Sequence, residues 1–220
     1  MVTNKGLGSG LLPHPDQISM ILEESLPKIQ GKLSVKMRTG LQTSDEIFPV
    51  IDVLNDFPLH EVILHPRVAK QLYKGVPDEE IFAEVSRRIK HPLVYNGDLA
   101  SVEDFIRLNN LFSSTESWMA GRGILKNPWL PYLFKNGSLP DKERSAETLK
   151  NFHEEILIGY SKILNGNSHL LMRMEKFWSY FSFAFPDPHK TFKRIKKAAY
   201  IAKYELAVNE NFQQLRYTGQ

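Results

Sequence analysis

The chain has 220 residues, 42% of them hydrophobic and 24% charged, with 28 basic against 25 acidic side chains and a formal net charge of +3. That length suits one large or two smaller globular domains. No apolar run approaches the roughly 20 residues of a membrane-spanning helix, and with no cysteine there can be no disulfide, thiolate metal site or thiol nucleophile in this chain. The opening Met1–Gly8 lacks the apolar core of an export signal, so a cytoplasmic location is expected.

Residues 1–13 read as a Gly-rich loop. Pro15 suits the first helical position, and Ile18, Ile21, Leu22 and Leu26 follow at helical spacing, which predicts a helix over 15–29. A strand is expected at 33–37. Thr43-Ser-Asp-Glu46 has the form of a capping box and opens a helix to about Asp56. The next strand falls at 60–64. Asp78 caps a helix to Ile89 whose Ile81, Phe82, Val85 and Ile89 share one stripe. Strands at 93–96 and 117–120 flank a helix opened by Ser101, and Asn127-Pro128 begins a short helix. Strands alternating with capped helices predict a parallel sheet.

The alternation stops after Gly137. Asn136-Gly-Ser-Leu-Pro-Asp-Lys142 has linker composition. Residues 143–164, 168–185 and 189–209 then carry helical spacing. The expected architecture is an α/β fold: a partial TIM-type (β/α) barrel of about four βα units over 1–137, followed by an all-α helical bundle over 143–220. Between His169 and Lys203 eight basic residues face only Glu175 and Asp187, which suggests a polyanionic partner.

Each predicted strand ends in polar residues. Lys36 and Arg38, His65, Asn96-Gly97-Asp98 and Gly121-Arg122-Gly123 recur at spacings of 29, 31 and 26 residues, measured from Lys36 to His65 to Asn96 to Arg122. The carboxyl ends of successive strands are where a (β/α) barrel builds its active site. Lys36 and Arg38 lie on one side of their strand. Asn96–Asp98 and the Gly-Arg-Gly turn can offer backbone N–H groups to a phosphate. Together they suit flavin mononucleotide (FMN), with its phosphate in the last two loops and Lys36 and His65 beside the ring. Lys5-Gly-Leu-Gly-Ser-Gly10 has the glycines of a dinucleotide loop but precedes the first strand, and it is not a Walker loop.

Val35-Lys-Met-Arg-Thr-Gly40, Leu64-His-Pro-Arg67, Gln71-Leu-Tyr-Lys-Gly75, Val94-Tyr-Asn-Gly-Asp98 and Met119-Ala-Gly-Arg-Gly-Ile-Leu-Lys-Asn-Pro-Trp-Leu130 closely resemble the tRNA-dihydrouridine synthase family. Lys5–Leu12 resembles the segment just after that family's Gly-Cys-Pro motif. The likeness covers residues 3–130 and extends more loosely through Arg173-Met-Glu-Lys176 and Trp178. It implies an FMN-dependent reductase that uses NADPH or NADH to reduce uridine in tRNA, with hydride reaching C6 of uracil and a cysteine supplying the proton at C5. By motif, Lys36, His65, Asn96, Gly97, Asp98, Gly121 and Arg122 would hold the flavin, and Arg38, Arg173 and Lys176 would face tRNA. Lys190, Arg194 and Lys197, at i, i+4 and i+7, would extend the tRNA-binding face along the last helix. Glu175 stands where related sequences often carry a basic residue.

The family's Gly-Cys-Pro would lie just upstream of Met1, so the expectation is the carboxyl-terminal portion of a synthase, inactive or nearly so alone. Its open half barrel would favour self-association. Two other readings compete: a half barrel with a helical domain that binds tRNA without reducing it, and another flavin- or phosphate-binding barrel enzyme.

Overall fold

The computed structural model describes residues 6–139 and 141–217. The first five residues of the Gly-rich opening and Pro140 of the expected linker lie outside them. Packing divides the chain into two units: residues up to Leu99 with Glu103–Gly121, and Ala100–Val102 with Arg122 onward.

The first unit is built on four parallel strands in the order β1 (Ser34–Arg38), β2 (Glu61–His65), β3 (Leu93–Tyr95) and β4 (Ser117–Trp118). Helix α1 (Pro15–Ser25) precedes β1. Helices α2 (Ile47–Leu54), α3 (Glu79–Arg88) and α4 (Val102–Leu111) follow β1, β2 and β3. The alternating pattern predicted from sequence is therefore present, as half the strand number of a full barrel. One sheet face carries Val35, Met37, Val62, Leu64, Tyr95 and Trp118. It packs against Ile47, Ile51 and Leu54 of α2, Phe82 and Val85 of α3 and Leu108 of α4. The other face is set by the register Lys36↔Ile63↔Val94↔Ser117. Because strand side chains alternate, Arg38 and His65 lie on that second face, one step nearer the carboxyl ends.

The turn after β1 is held tightly. The Glu46 carboxylate accepts hydrogen bonds from the backbone N–H of Leu41 (2.7 Å), Gln42 (3.0 Å) and Thr43 (3.0 Å). Burial alone would raise its pKa, but these donors outweigh it and hold the carboxyl below its ordinary value. Gly40 admits no side chain here, since a Cβ would fall 1.9 Å from the Thr43 carbonyl oxygen. Asp78 caps α3 as expected, accepting from Ile81 N at 3.1 Å.

The second unit comprises α5 (Arg122–Lys126), α6 (Leu130–Asn136), α7 (Lys142–Ile163), α8 (Asn167–Phe181), α9 (Pro188–Lys196) and α10 (Ile201–Tyr217). The packing boundary at Gly121–Arg122 precedes the linker composition around Gly137. Helix α5 packs on α8, and Lys126 Nζ lies 4.6 Å over the Phe183 ring. The core gathers Leu149, Leu170, Met174, Trp178, Phe181, Phe185, Ile195, Tyr204, Val208 and Phe212.

The single helix predicted over 189–209 is two helices, broken between Lys196 and Ile201. Ile195 and Tyr204 both face this core, at 3% and 1% exposure. Nine residues of continuous helix make two and a half turns and would point them in opposite directions. The break lets both stripes face inward.

Candidate functional site

The carboxyl ends of β1–β3 bring cations together. Lys36 and Arg38 project from β1 and His65 from β2 onto the second sheet face. Arg67 sits two residues beyond His65 with its side chain fully buried. Its guanidinium grips Asp98 through two nitrogens, Nη1 to Oδ1 at 3.0 Å and Nη2 to Oδ2 at 2.6 Å. Nη2 also donates to the Gly75 carbonyl at 2.6 Å.

Nη1 of Arg67 lies 3.3 Å from His65 Nε2. A guanidinium only donates, so Nε2 accepts and the imidazole proton resides on Nδ1. Burial, then the charges of Arg38, Lys36 and Arg67, push the His65 pKa down to about 4, with Asp98 opposing. His65 is therefore neutral near pH 7, with Nδ1 as a hydrogen-bond donor. Desolvation and the Arg38 charge also lower the Lys36 ammonium pKa.

Arg38 is committed to the loop after β2. Its Nη1 donates to Val68 O at 2.9 Å and its Nη2 to Leu72 O at 2.8 Å, and it lies 5.5 Å from the Tyr73 ring centroid. Leu72 is the one non-glycine residue with positive φ, at 54°, among the described residues. Tyr73 approaches His65 at 6.2 Å between ring centroids. The Gln71–Gly75 motif thus forms a loop that Arg38 and Arg67 fasten by its carbonyls.

Asn96 follows β3, donating through Nδ2 to Met119 O at 2.6 Å. Gly97 is fixed by packing, because a Cβ there would fall 2.2 Å from the Tyr95 hydroxyl. Gly121 is exposed and a Cβ would meet nothing within 4 Å, so its backbone can be approached closely. Arg122 begins α5 in the second unit and is exposed.

Lys36, Arg38, His65, Arg67 and Asp98 thus form one electrostatic cluster, and Asn96 ends the neighbouring strand. In the second unit Arg173 and Lys176 are exposed on α8, and Lys190 and Lys197 on α9 and at its end. Arg194 is half-buried, donating to Asn211 Oδ1 and Gln214 Oε1 at 2.9 and 2.8 Å.

Sequence reasoning assigned no role to Arg67. Its signal is the spacing: His65-x-Arg67 at the end of β2 echoes Lys36-x-Arg38 on β1. The Asp98 partner, 31 residues away, left no comparable mark.

This arrangement suits an anionic, partly aromatic ligand. Lys36, Arg38 and Arg67 crowd one face against the Asp98 carboxylate; burial is the first cause of the lowered pKa values of Lys36 and His65, and the neighbouring cations lower them further. A bound anion would relieve the crowding. On this face Lys36 offers an ammonium and His65 a neutral imidazole N–H.

The chain is a parallel β/α unit with a cationic face at its strand ends, joined to a basic helical bundle. The dihydrouridine synthase family model matches residues 1–213. The chain belongs to the dihydrouridine synthase family. It is 24% identical over 213 residues to the tRNA-dihydrouridine(16) synthase of Vibrio parahaemolyticus serotype O3:K6 (strain RIMD 2210633), covering 93% of this chain and 64% of that protein. It is 25% identical over 130 residues to tRNA-dihydrouridine synthase B of Pasteurella multocida (strain Pm70), covering 59% of this chain and 39% of that one. With a tRNA-dihydrouridine(47) synthase [NAD(P)(+)]-like protein of Xenopus tropicalis it shares 33% identity over 132 residues, 59% of this chain and 20% of that protein. The chain thus spans less than two thirds of the length of these relatives. No helix among the described residues is long and apolar enough to cross a membrane.

Proposed function

We propose that this chain serves dihydrouridine formation in tRNA, binding FMN on the β1–β3 face and tRNA through the helical unit, in the cytoplasm, with NADPH or NADH as reductant. The observation that carries the reading is the cationic strand-end face in a chain whose family match runs on through the helical unit. The chemistry FMN contributes when bound is delivery of a hydride to C6 of the uracil C5=C6 bond. Lys36 places positive charge beside the ring and His65 offers its Nδ1–H. Asn96, Gly97 and Asp98 shape the adjoining loop, with Asp98 keeping Arg67 charged and fixed. Gly121 and Arg122 take the phosphate. Arg38 orders the 68–75 loop, which forms the tRNA-facing lip, and Arg173, Lys176, Lys190, Arg194 and Lys197 form the RNA face. This chain carries no thiol to protonate C5.

The test measures tRNA and FMN binding on the same preparation. Affinity for tRNA should fall with salt at a log–log slope of roughly −0.7 to −0.9 per phosphate contact. The exposed pair Lys176→Glu and Lys197→Glu should weaken it sharply. Binding of tRNA without FMN would support the non-catalytic alternative. Binding of FMN without tRNA would point to another flavin- or phosphate-binding barrel enzyme.

We also propose that two copies associate through the sheet. Among the described residues no strand pairs with the outer edge of β1 or β4. Beside β1 runs an apolar groove of about 640 Å³, lined in part by Leu11, Ile18, Ile21 and Ile29. Pairing β1 of each copy with β4 of the other closes a parallel ring around a two-fold axis. Sedimentation should find a dimer at micromolar concentration, and a stable monomer there would contradict it.

A further inference from the structure

Between α9 and α10 lies a notch of about 580 Å³, within the usual range of a small-ligand site. It is lined by Asp187, Lys190 and Arg194 from the α9 side and Asn211, Gln213 and Gln214 from α10, with Glu210 and Phe185 also at its surface. Arg194 is locked in place. Its Nη1 donates to both Asn211 Oδ1 and Gln214 Oε1, and its Nε lies 3.7 Å from Glu210. Asn211, only 1% exposed, is itself anchored by donating to the Thr191 carbonyl at 3.3 Å.

This notch is not a simple phosphate trap, because Asp187 and Glu210 balance Lys190 and Arg194. It presents a mixture of donors and acceptors, with Arg194 and Asn211 fixed and Lys190 and Gln213 exposed. Carboxamides pair with the edges of unstacked bases, and carboxylates accept from ribose hydroxyls and exocyclic amines. Phosphates need cations, and these stand exposed elsewhere on α9 at Lys193 and Lys196 and at its end at Lys197. An acidic peptide would bring its own carboxylates against Asp187 and Glu210, a like-charge contact.

We propose that the α9–α10 notch is a nucleoside subsite: it takes one unstacked base with its ribose from the RNA strand whose phosphates run along the α9 lysines. The inference rests on the tRNA reading above and gives α10 a part in it. Gln213 is the contact that tests it. The residue is exposed, and among the described residues its side chain makes no hydrogen bond or ion pair, so replacing it leaves the packing intact.

The experiment measures tRNA affinity of the full chain across a salt series, for the unaltered protein, Gln213→Ala and Lys196→Ala. Losing a base contact should weaken binding by about tenfold with the salt slope unchanged. Losing a phosphate contact should reduce the slope by about one. Gln213→Ala is expected to behave in the first way and Lys196→Ala in the second. Unchanged affinity in Gln213→Ala while the unaltered chain binds would overturn the subsite and leave the tRNA reading standing. A weakened Gln213→Ala with a shallower slope would also overturn it. An unaltered chain that binds no tRNA would remove both.

Discussion

Asp98→Ala should destabilise the sheet unit by about 3 kcal/mol, while Arg67→Met should cost less than half as much. The asymmetry follows from exposure. The Arg67 side chain is 0% exposed and the Asp98 side chain 46% exposed. Removing the carboxylate strands a buried guanidinium on one carbonyl and a neutral imidazole, and its Nε already lacks a partner. Removing the guanidinium lets Asp98 turn to water, and methionine refills most of the volume. Urea unfolding followed on the sheet unit's peptides by hydrogen exchange measures both. Equal costs would show that the charge pair does not govern this corner of the fold.

The second large effect is a loss of stability in acid centred on His153. This residue is 1% exposed, inside a ring of Trp178, Phe181, Tyr204 and Phe212. Trp178 Nε1 donates to the Tyr204 hydroxyl at 2.9 Å, and that hydroxyl lies 2.6 Å from His153 Nε2. The arrangement that satisfies the phenol's proton has Nε2 accepting it, which leaves the buried Nδ1 with no partner. Burial, then Lys150, lower the His153 pKa from 6.5 to about 4. A folded-state pKa below the unfolded value means that the unfolded chain binds more protons between those limits. The helical unit should therefore hold its full stability above pH 6.5 and lose about 3 kcal/mol as the pH falls to 4. His153→Phe should cost about 1 kcal/mol at neutral pH for the lost hydrogen bond, yet flatten the slope. A slope of equal steepness in that variant would assign the acid sensitivity to other groups.

How much of this was legible in the sequence depended on the range of the signal. The strands and their parallel order followed from short apolar runs, and the observed bounds moved by one or two residues, as with β1 at Ser34–Arg38 against 33–37. The cap at Asp78 was local and was found. The α9–α10 break was also written locally, in the half-turn offset between Ile195 and Tyr204, although no glycine or proline marks it. What could not be read was pairing across distance. Arg67 with Asp98 and Arg194 with Asn211 and Gln214 each join residues 17 or more apart. Such bonds hold in one orientation a cation that reads in the sequence as freely exposed. Gly97 reads as an ordinary turn glycine, and only Tyr95 beneath it shows why no other residue fits.

The flavin site proposed at the β1–β3 strand ends is read by titrating FMN and riboflavin, which lacks the phosphate, into the chain and following flavin fluorescence. FMN should bind more tightly than riboflavin, Lys36→Ala should weaken both, and Arg122→Ala should weaken FMN alone. No uptake of FMN, or equal affinity for the two flavins with Arg122→Ala silent, would contradict the proposed site.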